Sequence, residues 1–444
     1  MPSSRRWSLG PVRHPAFARL WLAGAVSETG DWLLLIALPV HVLQLTGSAL
    51  VTSTVFLLGL LPGLVVGPLA GVLVDRWDRR RTLIAVSLAQ AALLLPLLAV
   101  RGHQQLWILY AVTAAEAALG HLFQPAKNAQ VPALVPAEEL VAANSLTGLT
   151  DNLARLVGGT LGGVVLELGG LGGIVAGDAA SFLIAAALLA GGRSPARAAA
   201  PPSGRQAPGP GLGLLGQWVA GLRLIRRDSR LLGALVVTAI ASVAQGIFVV
   251  LFVVFVIQLL HGGPPEVGLL RGVQAIGALL GGLLLAPLGH RLAPHHLAGA
   301  GLLAFGLIEL AIWNGPALTT GTGLYVGLFV AVGVPGIALL TGLAAFVQST
   351  TPDGFRGRVF SAWFTVGDGF QALGMLLAGL LAGPVGLLPV LNGQAALYLL
   401  AGLLAFALLA RRAGGRPGPP SPGPAAATAV PGSPPAAQPA RQRA

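Results

Sequence analysis

No cysteine occurs among the 444 residues, which excludes disulfides, thiolate metal sites and cysteine nucleophiles. Charge is nearly as scarce. Asp, Glu, Lys and Arg make up 9% of the chain, and Lys127 is its only lysine. No soluble domain of this length leaves so little polar material for its surface. A phosphate-binding loop of the Gly-x-x-x-x-Gly-Lys type is also missing, so direct drive by ATP is not supported. His290, His295 and His296 sit near one loop and are not expected to hold a metal. No nucleophile or metal constellation stands out, so neither a cofactor nor an enzyme is expected. The first 16 residues are basic and polar, with no apolar core and no cleavage pattern. The expectation is that no signal peptide is removed and that the first apolar stretch is itself a membrane span.

What fills the chain instead is apolar: 55% hydrophobic residues and 63 glycines. Stretches of about 20 apolar residues recur, each long enough to cross roughly 30 Å of hydrocarbon. Glycine at this level suits closely packed helices in lipid. Twelve spans are read, at 17–40, 50–74, 82–100, 106–124, 144–168, 171–191, 231–259, 267–289, 297–314, 322–347, 361–382 and 391–410. A formal charge of +12 would point to nucleic acid in a soluble protein. Here the basic residues collect in alternate loops, which is the pattern of a membrane protein with its basic loops inside. Arg5, Arg6, Arg13 and Arg19 precede the first span, Arg76, Arg79, Arg80 and Arg81 follow the second, and Lys127 is assigned to the second inner loop. Most of the others lie in the central linker, the later inner loops and the tail. Only Arg101 and Arg271, read at outer edges, and Arg155, inside a helix, depart from the pattern. Both termini are therefore expected in the cytoplasm, with no nucleic-acid partner.

A Pro-, Ala- and Arg-rich stretch divides the spans into six plus six. The expected organisation is an N-terminal six-helix half, 1–191, a cytoplasmic linker, 192–230, a C-terminal six-helix half, 231–412, and a disordered tail, 413–444. Leu214 to Arg227, at the end of the linker, reads as an amphipathic helix on the inner membrane face. Weak repetition links the halves: Phe123 to Pro132 follows the fourth span, and Phe346 to Phe360 follows the tenth. The fold class is an all-α membrane protein of twelve transmembrane helices in two six-helix pseudo-repeats, a transporter plan.

One stretch stands apart. From Gly67 to Thr82 an apolar helix runs into Asp75, and four arginines and two aspartates fall within seven residues. This turn resembles the loop between the second and third helices of the major facilitator superfamily. Further segments are similar to its bacterial efflux branch, which includes macrolide exporters and the enterobactin exporter. They are Ser27-Glu28-Thr29-Gly30-Asp31, Leu45-Thr46-Gly47-Ser48, Pro125-Ala126, Val131 to Pro136, Ala143 to Leu146, Asp178 to Phe182, and Arg356-Gly357-Arg358-Val359-Phe360. Their order and spacing carry the resemblance. Helix five, from Arg155 to Gly163, is similar to the antiporter motif with Gly159 in place of a proline, and the fourth helix lacks the superfamily's usual arginine. The resemblance implies a transporter in the bacterial inner membrane.

Acids inside a bilayer are costly unless paired, hydrated or protonated, so each is a candidate. Glu28 and Asp31 lie three residues apart on one face of helix one. Two carboxylates this close suit the binding and release of a proton. The resemblance places helices one and four along a central cavity, which makes Glu28, Asp31 and Glu116 the proton-coupling candidates. Asp151 and Arg155, four apart, are expected to pair along their helix, and Asp178 and Asp368 are read as structural charges. The sequence assigns Glu309 no role. Gln245 and Phe248 are candidates for the substrate cavity, and Gly158, Gly159, Gly162 and Gly163 for close packing against a neighbour. The resemblance further implies a gating motif, Gly71, Asp75, Arg76, Arg79 and Arg80. Asp75 would latch onto the start of helix eleven, and the arginines would meet acids or lipid phosphates. The reading is export of a small amphipathic compound by proton antiport and alternating access. The expected partners are that substrate, protons and membrane lipids, with the chain acting as a monomer. The alternatives are a nutrient uptake permease of the same fold, or a receptor or scramblase without coupled transport.

Overall fold

In hydrocarbon every backbone N–H and C=O must be satisfied within its own segment, and apolar runs of this length therefore become helices. The computed structural model describes residues 10–191, 214–287 and 292–410, and the backbone alone at 67–76, 214, 215 and 217. The segment 192–213, the turn at 288–291, the tail from 411, and the side chains of Gly71, Asp75 and Arg76 lie outside the described residues.

Twelve long apolar helices occur among the described residues. The first four are α1 (Pro15–Thr46), α2 (Ala49–Arg76), α3 (Arg79–Leu93) and α4 (Leu106–Gln130). The helical stretch Leu140–Ala190 is two helices, α5 (140–169) and α6 (171–190), because Gly170 has φ 57° and ψ −161°. Only glycine enters that backbone region without strain. The halves of the stretch run antiparallel. A Cβ on Gly162 would meet the Leu33 backbone, and one on Gly177 would meet the Leu33 side chain, so residues on either side of the bend share one level of α1. The rest are α7 (Ser229–Gln258), α8 (Pro264–Leu285), α9 (Pro294–Asn314), α10 (Thr322–Thr350), α11 (Arg356–Leu381) and α12 (Leu387–Leu404).

Local chemistry sets several helix ends. Gly47, at φ 64°, closes α1 and donates its N–H to Leu43 O at 2.7 Å. The Asp78 carboxylate caps α3 by accepting the Arg81 N–H at 2.8 Å, and Asp228 caps α7 in the same way. One expectation fails here. The segment from Phe123, read as a loop, belongs to α4, which continues through Pro125 to Gln130. Pro125 removes one backbone donor and suggests a break, but neighbouring helices support the turn. Lys127 is consequently a helical residue and not a loop residue.

Leu214–Arg227 forms a separate helix, with Arg223, Arg226 and Arg227 exposed and Ile225 buried. Its Gly221 lies against Arg358 O at the start of α11.

Glycine doublets bring the helices together. In α5, Gly158 and Gly162 face the α1 backbone at Thr29 and Leu33, whereas Gly159 and Gly163 face α8 at Gly268 and Pro264. The motif thus serves two neighbours, one with each member of a doublet. The face that holds the start of α1 and the end of α12 is the terminal face, and the α5–α8 seam reaches the loop before α8 on the face opposite it. Gly379 of α11 meets Leu50 and Ser53 of α2 on that same face. On the terminal face α4 has no extensive packing against α10 or α11. The space between the two helix groups therefore closes on the opposite face and opens on the terminal one.

Candidate functional site

The opening leads into a cavity with two adjoining lobes of 490 and 510 Å³, which share Gln245, Arg271 and Gln371 as wall residues. The first lobe is bounded by α1, α2 and α4 and is lined by Asp31, Gln90, Glu116 and His121. Asp31 is exposed to it. Glu116 is nearly buried and accepts a hydrogen bond from Gln90 Nε2 at 2.9 Å, which ties α4 to α3. Its other oxygen has no hydrogen-bond partner. Asp31 and Glu116 interact electrostatically, and neither forms a direct ion pair among the described residues. Asp31 lies within electrostatic reach of Glu28 and Lys127, but carboxylates left without a direct ion pair are suited to taking up and releasing a proton.

Glu28 is placed differently. It turns from the cavity and forms an ion pair with Lys127 of α4, with Gln124 Nε2 donating to the same oxygen at 3.3 Å. Glu28 is 8% exposed and Lys127 5%, so the pair is desolvated on both sides. The sequence pairs Glu28 with Asp31 by helical spacing; in the structure the two still interact electrostatically, but Glu28 forms its ion pair with the one lysine while Asp31 faces the lobe. Asp151 lines the pocket that holds this pair and interacts with both its members. The expected Asp151–Arg155 pair does not form. Arg155 Nη2 donates instead to Asn152 Oδ1 at 3.3 Å, because its side chain points toward α8, away from Asp151. Asp178 is fully buried between α6 and α1; it accepts from Ser181 Oγ at 3.2 Å and touches the position where a Cβ on Gly30 would lie.

The second lobe lies among α5, α7, α8, α10 and α11 and is lined by Arg155, Phe248, Phe305, Trp363, Phe364 and Tyr398, among others. Gln245 and Phe248 stand on its wall, and Tyr398 donates its hydroxyl to Gln245 Oε1 at 2.8 Å. Arg271 does not lie at an outer edge. It belongs to α8 and faces both lobes, with its guanidinium 5.1 Å from the Phe248 ring centroid and Nη1 donating to Gln274 Oε1 at 3.1 Å. Asp368, read as a structural charge, also reaches this lobe and interacts with His121 across the opening. Glu309 is buried away from the cavity, where Gln394 Nε2 donates to it at 2.7 Å and Trp313 Nε1 donates to Gln394 Oε1 at 3.1 Å.

Among the described residues, Arg79 and Arg80 meet helix ends. Arg79 Nη1 donates to Ala129 O at 2.9 Å, and Arg80 donates to Leu189 O at 2.8 Å and Ala190 O at 2.7 Å. Cations placed there satisfy the last carbonyls of α4 and α6 and oppose the negative ends of their dipoles.

Comparison with known proteins agrees with this architecture. The family described as transmembrane secretion effector matches residues 6–416. Macrolide efflux protein A of Streptococcus pyogenes is 27% identical over 374 residues, covering 83% of this chain and 90% of that protein. The enterobactin exporter EntS of Citrobacter koseri is 28% identical over 387 residues, covering 82% and 85%. A bacterial homologue of the iron transporter ferroportin, solved in its inward-facing state, shares the fold with a TM-score of 0.70 at 16% identity over 91% of this chain and all of that one.

Proposed function

The chain belongs to the transmembrane secretion effector family of the major facilitator superfamily, and we propose that it exports a small amphipathic compound from the bacterial cytoplasm in exchange for protons. It is a membrane transporter and not an enzyme. The observation that carries the proposal is the pair Asp31 and Glu116, two interacting carboxylates on the wall of a cavity open at one face, neither held in a direct ion pair among the described residues. The efflux proteins among its relatives support export over uptake. The terminal face bears Arg13, Arg19, Arg79, Arg80, Arg81, Arg356 and Arg358, and a basic face is the cytoplasmic one. The structure then corresponds to an inward-open state. Substrate enters from the cytoplasm while Asp31 and Glu116 release protons to it. Rocking of the two helix groups about the α5–α8 and α2–α11 contacts exposes the cavity to the outside, where substrate leaves and the acids are protonated again. Glu28 and Lys127 hold α1 to α4 and so keep Asp31 and Glu116 in one lobe.

Reconstituted protein tests this with a macrolide and a catecholate siderophore as probes. An imposed proton gradient is expected to drive at least one of them against its concentration. Asp31→Asn is expected to abolish that drive and retain downhill exchange, because the substituted side chain still fills its place but binds no proton. Concentrative transport that survives in both Asp31→Asn and Glu116→Gln places coupling elsewhere. Movement insensitive to any gradient removes antiport altogether.

A further inference from the structure

The second lobe holds two positive charges that the structure does not neutralise. Arg155 on α5 and Arg271 on α8 meet at one level of the α5–α8 seam. A Cβ on Gly272 would stand 2.9 Å from Leu156 O, so the arginines preceding these two residues are neighbours. Their guanidiniums interact electrostatically with each other. Arg155 donates only to the neutral Asn152 amide, and its buried Nε has no hydrogen-bond partner. Arg271 donates only to the neutral Gln274 amide and stacks on Phe248. Among the described residues neither forms a salt bridge, and Asp368, an acid on the wall of the lobe, interacts with His121. Arginine cannot shed its charge. Two like charges in an apolar seam are unfavourable unless an anion joins them, and the guanidinium fork is shaped for the two oxygens of a carboxylate. Phe305, Trp363, Phe364 and Tyr398 face the same space, and they offer flat apolar contact to whatever carries that anion.

We propose that the second lobe binds an organic anion, a carboxylate on an aromatic body, with the carboxylate held by Arg155 and Arg271. The inference rests on the export reading for its substrate role and goes beyond it in naming the substrate class. It also separates the two ligands of the cycle within one cavity. The anion occupies the arginine lobe, and protons occupy the acid lobe, where Asp31 and Glu116 repel the anion and keep it on its own side.

The test uses full-length protein in detergent and three probes of one shape: 2-naphthoate, 2-naphthamide and 2-naphthylmethylammonium, with binding read by calorimetry. Naphthoate is expected to bind at least about tenfold more tightly than the amide, the scale of one charge-assisted hydrogen bond, and the ammonium most weakly. Arg155→Gln and Arg271→Gln should each bring naphthoate to within about twofold of the amide. Arg271→Lys should keep part of the preference, and unchanged amide binding in every variant shows that the lobe is intact. Equal binding of naphthoate and naphthamide by the wild type overturns the proposal. So does tighter binding of the ammonium, or a naphthoate preference that survives both Gln substitutions. Transport separates this from the export reading. Arginine-dependent naphthoate binding without gradient-driven movement sinks export alone, and gradient-driven movement of cations without any preference for anions sinks the anion site alone.

Discussion

Lys127 shows what a single residue can be worth in a chain this poor in charge. It is the only lysine, and it sits buried in an ion pair with Glu28, with Asp151 the other acid of that pocket. Removing one partner of a buried pair costs about 3–5 kcal/mol when the other is left uncompensated, and Asp151, the remaining acid beside Lys127, offsets part of that. Glu28→Gln is therefore expected to lower the unfolding midpoint in detergent sharply. Glu28→Gln combined with Lys127→Met should recover most of the loss, because no unpaired charge remains. Equal losses in the single and double variants mean that the ion pair does not hold α1 to α4. Asp31, three residues along, forms no direct ion pair among the described residues and opens into the cavity, so Asp31→Asn should change the midpoint much less while removing proton coupling. The same helix face thus divides into a structural acid and a functional one. The spacing of Glu28 and Asp31 does not reveal that division, because the partner that decides it comes from another helix.

Helices in this protein meet through glycines of two kinds, and the difference is testable. Gly163 and Gly268 lie in the α5–α8 seam between the two helix groups, where a Cβ would run into the backbone at Pro264 and at Gly159. Gly246 of α7 lies inside one group, against the α11 backbone at Gln371. If the seam opens during transport, Gly163→Ala penalises only the state in which it is closed and shifts the population toward the outward-open form. Gly246→Ala penalises every state and lowers stability instead. Because the chain has no cysteine, a single cysteine introduced at Ser242 reports access to the cavity without background labelling. Slower labelling from the terminal side in Gly163→Ala, with labelling in Gly246→Ala unchanged in wild-type-like folded protein, is the expected result. The reverse pattern makes the seam a static contact. The elements themselves are legible in the sequence, since hydrocarbon thickness fixes the length of an apolar run. The break between α5 and α6 is legible because Gly169 and Gly170 interrupt such a run. Two positions are not legible, for one shared reason. Lys127 and Arg271 look like loop charges when distance to the nearest polar stretch is counted. Yet α4 continues past Pro125, and α8 begins at Pro264, about 10 Å of helix rise before Arg271. An apolar run marks where lipid is. A helix surrounded by other helices continues beyond that mark, and the charges that matter lie in the continuation.

At the scale of the whole molecule, the division of the cavity into an acid lobe and an arginine lobe makes a statement about energy. One monovalent anion leaving the cell and one proton entering move charge in the same sense, so each cycle would carry two charges down an inside-negative potential. Each elementary charge is worth about 2.3 kcal/mol per 100 mV, so the cycle would draw about 4.6 kcal/mol from 100 mV even without a pH difference. A neutral substrate exchanged for one proton would draw half of that. The two lobes therefore predict a dependence on membrane potential that differs with the charge of the substrate. In proteoliposomes clamped with potassium and valinomycin at equal pH, naphthoate movement is expected to follow the potential and to reverse when the potential is reversed. With naphthamide, if it is carried, the reversal should occur with about half the steepness in accumulation ratio. The sign belongs to the coupling and not to the orientation of the protein, since a mixed population transports in both directions under the same force. Naphthoate transport that ignores the potential would mean a charge-balanced cycle. The anion would then leave together with a proton or in exchange for another anion, and the one-anion, one-proton exchange would be excluded.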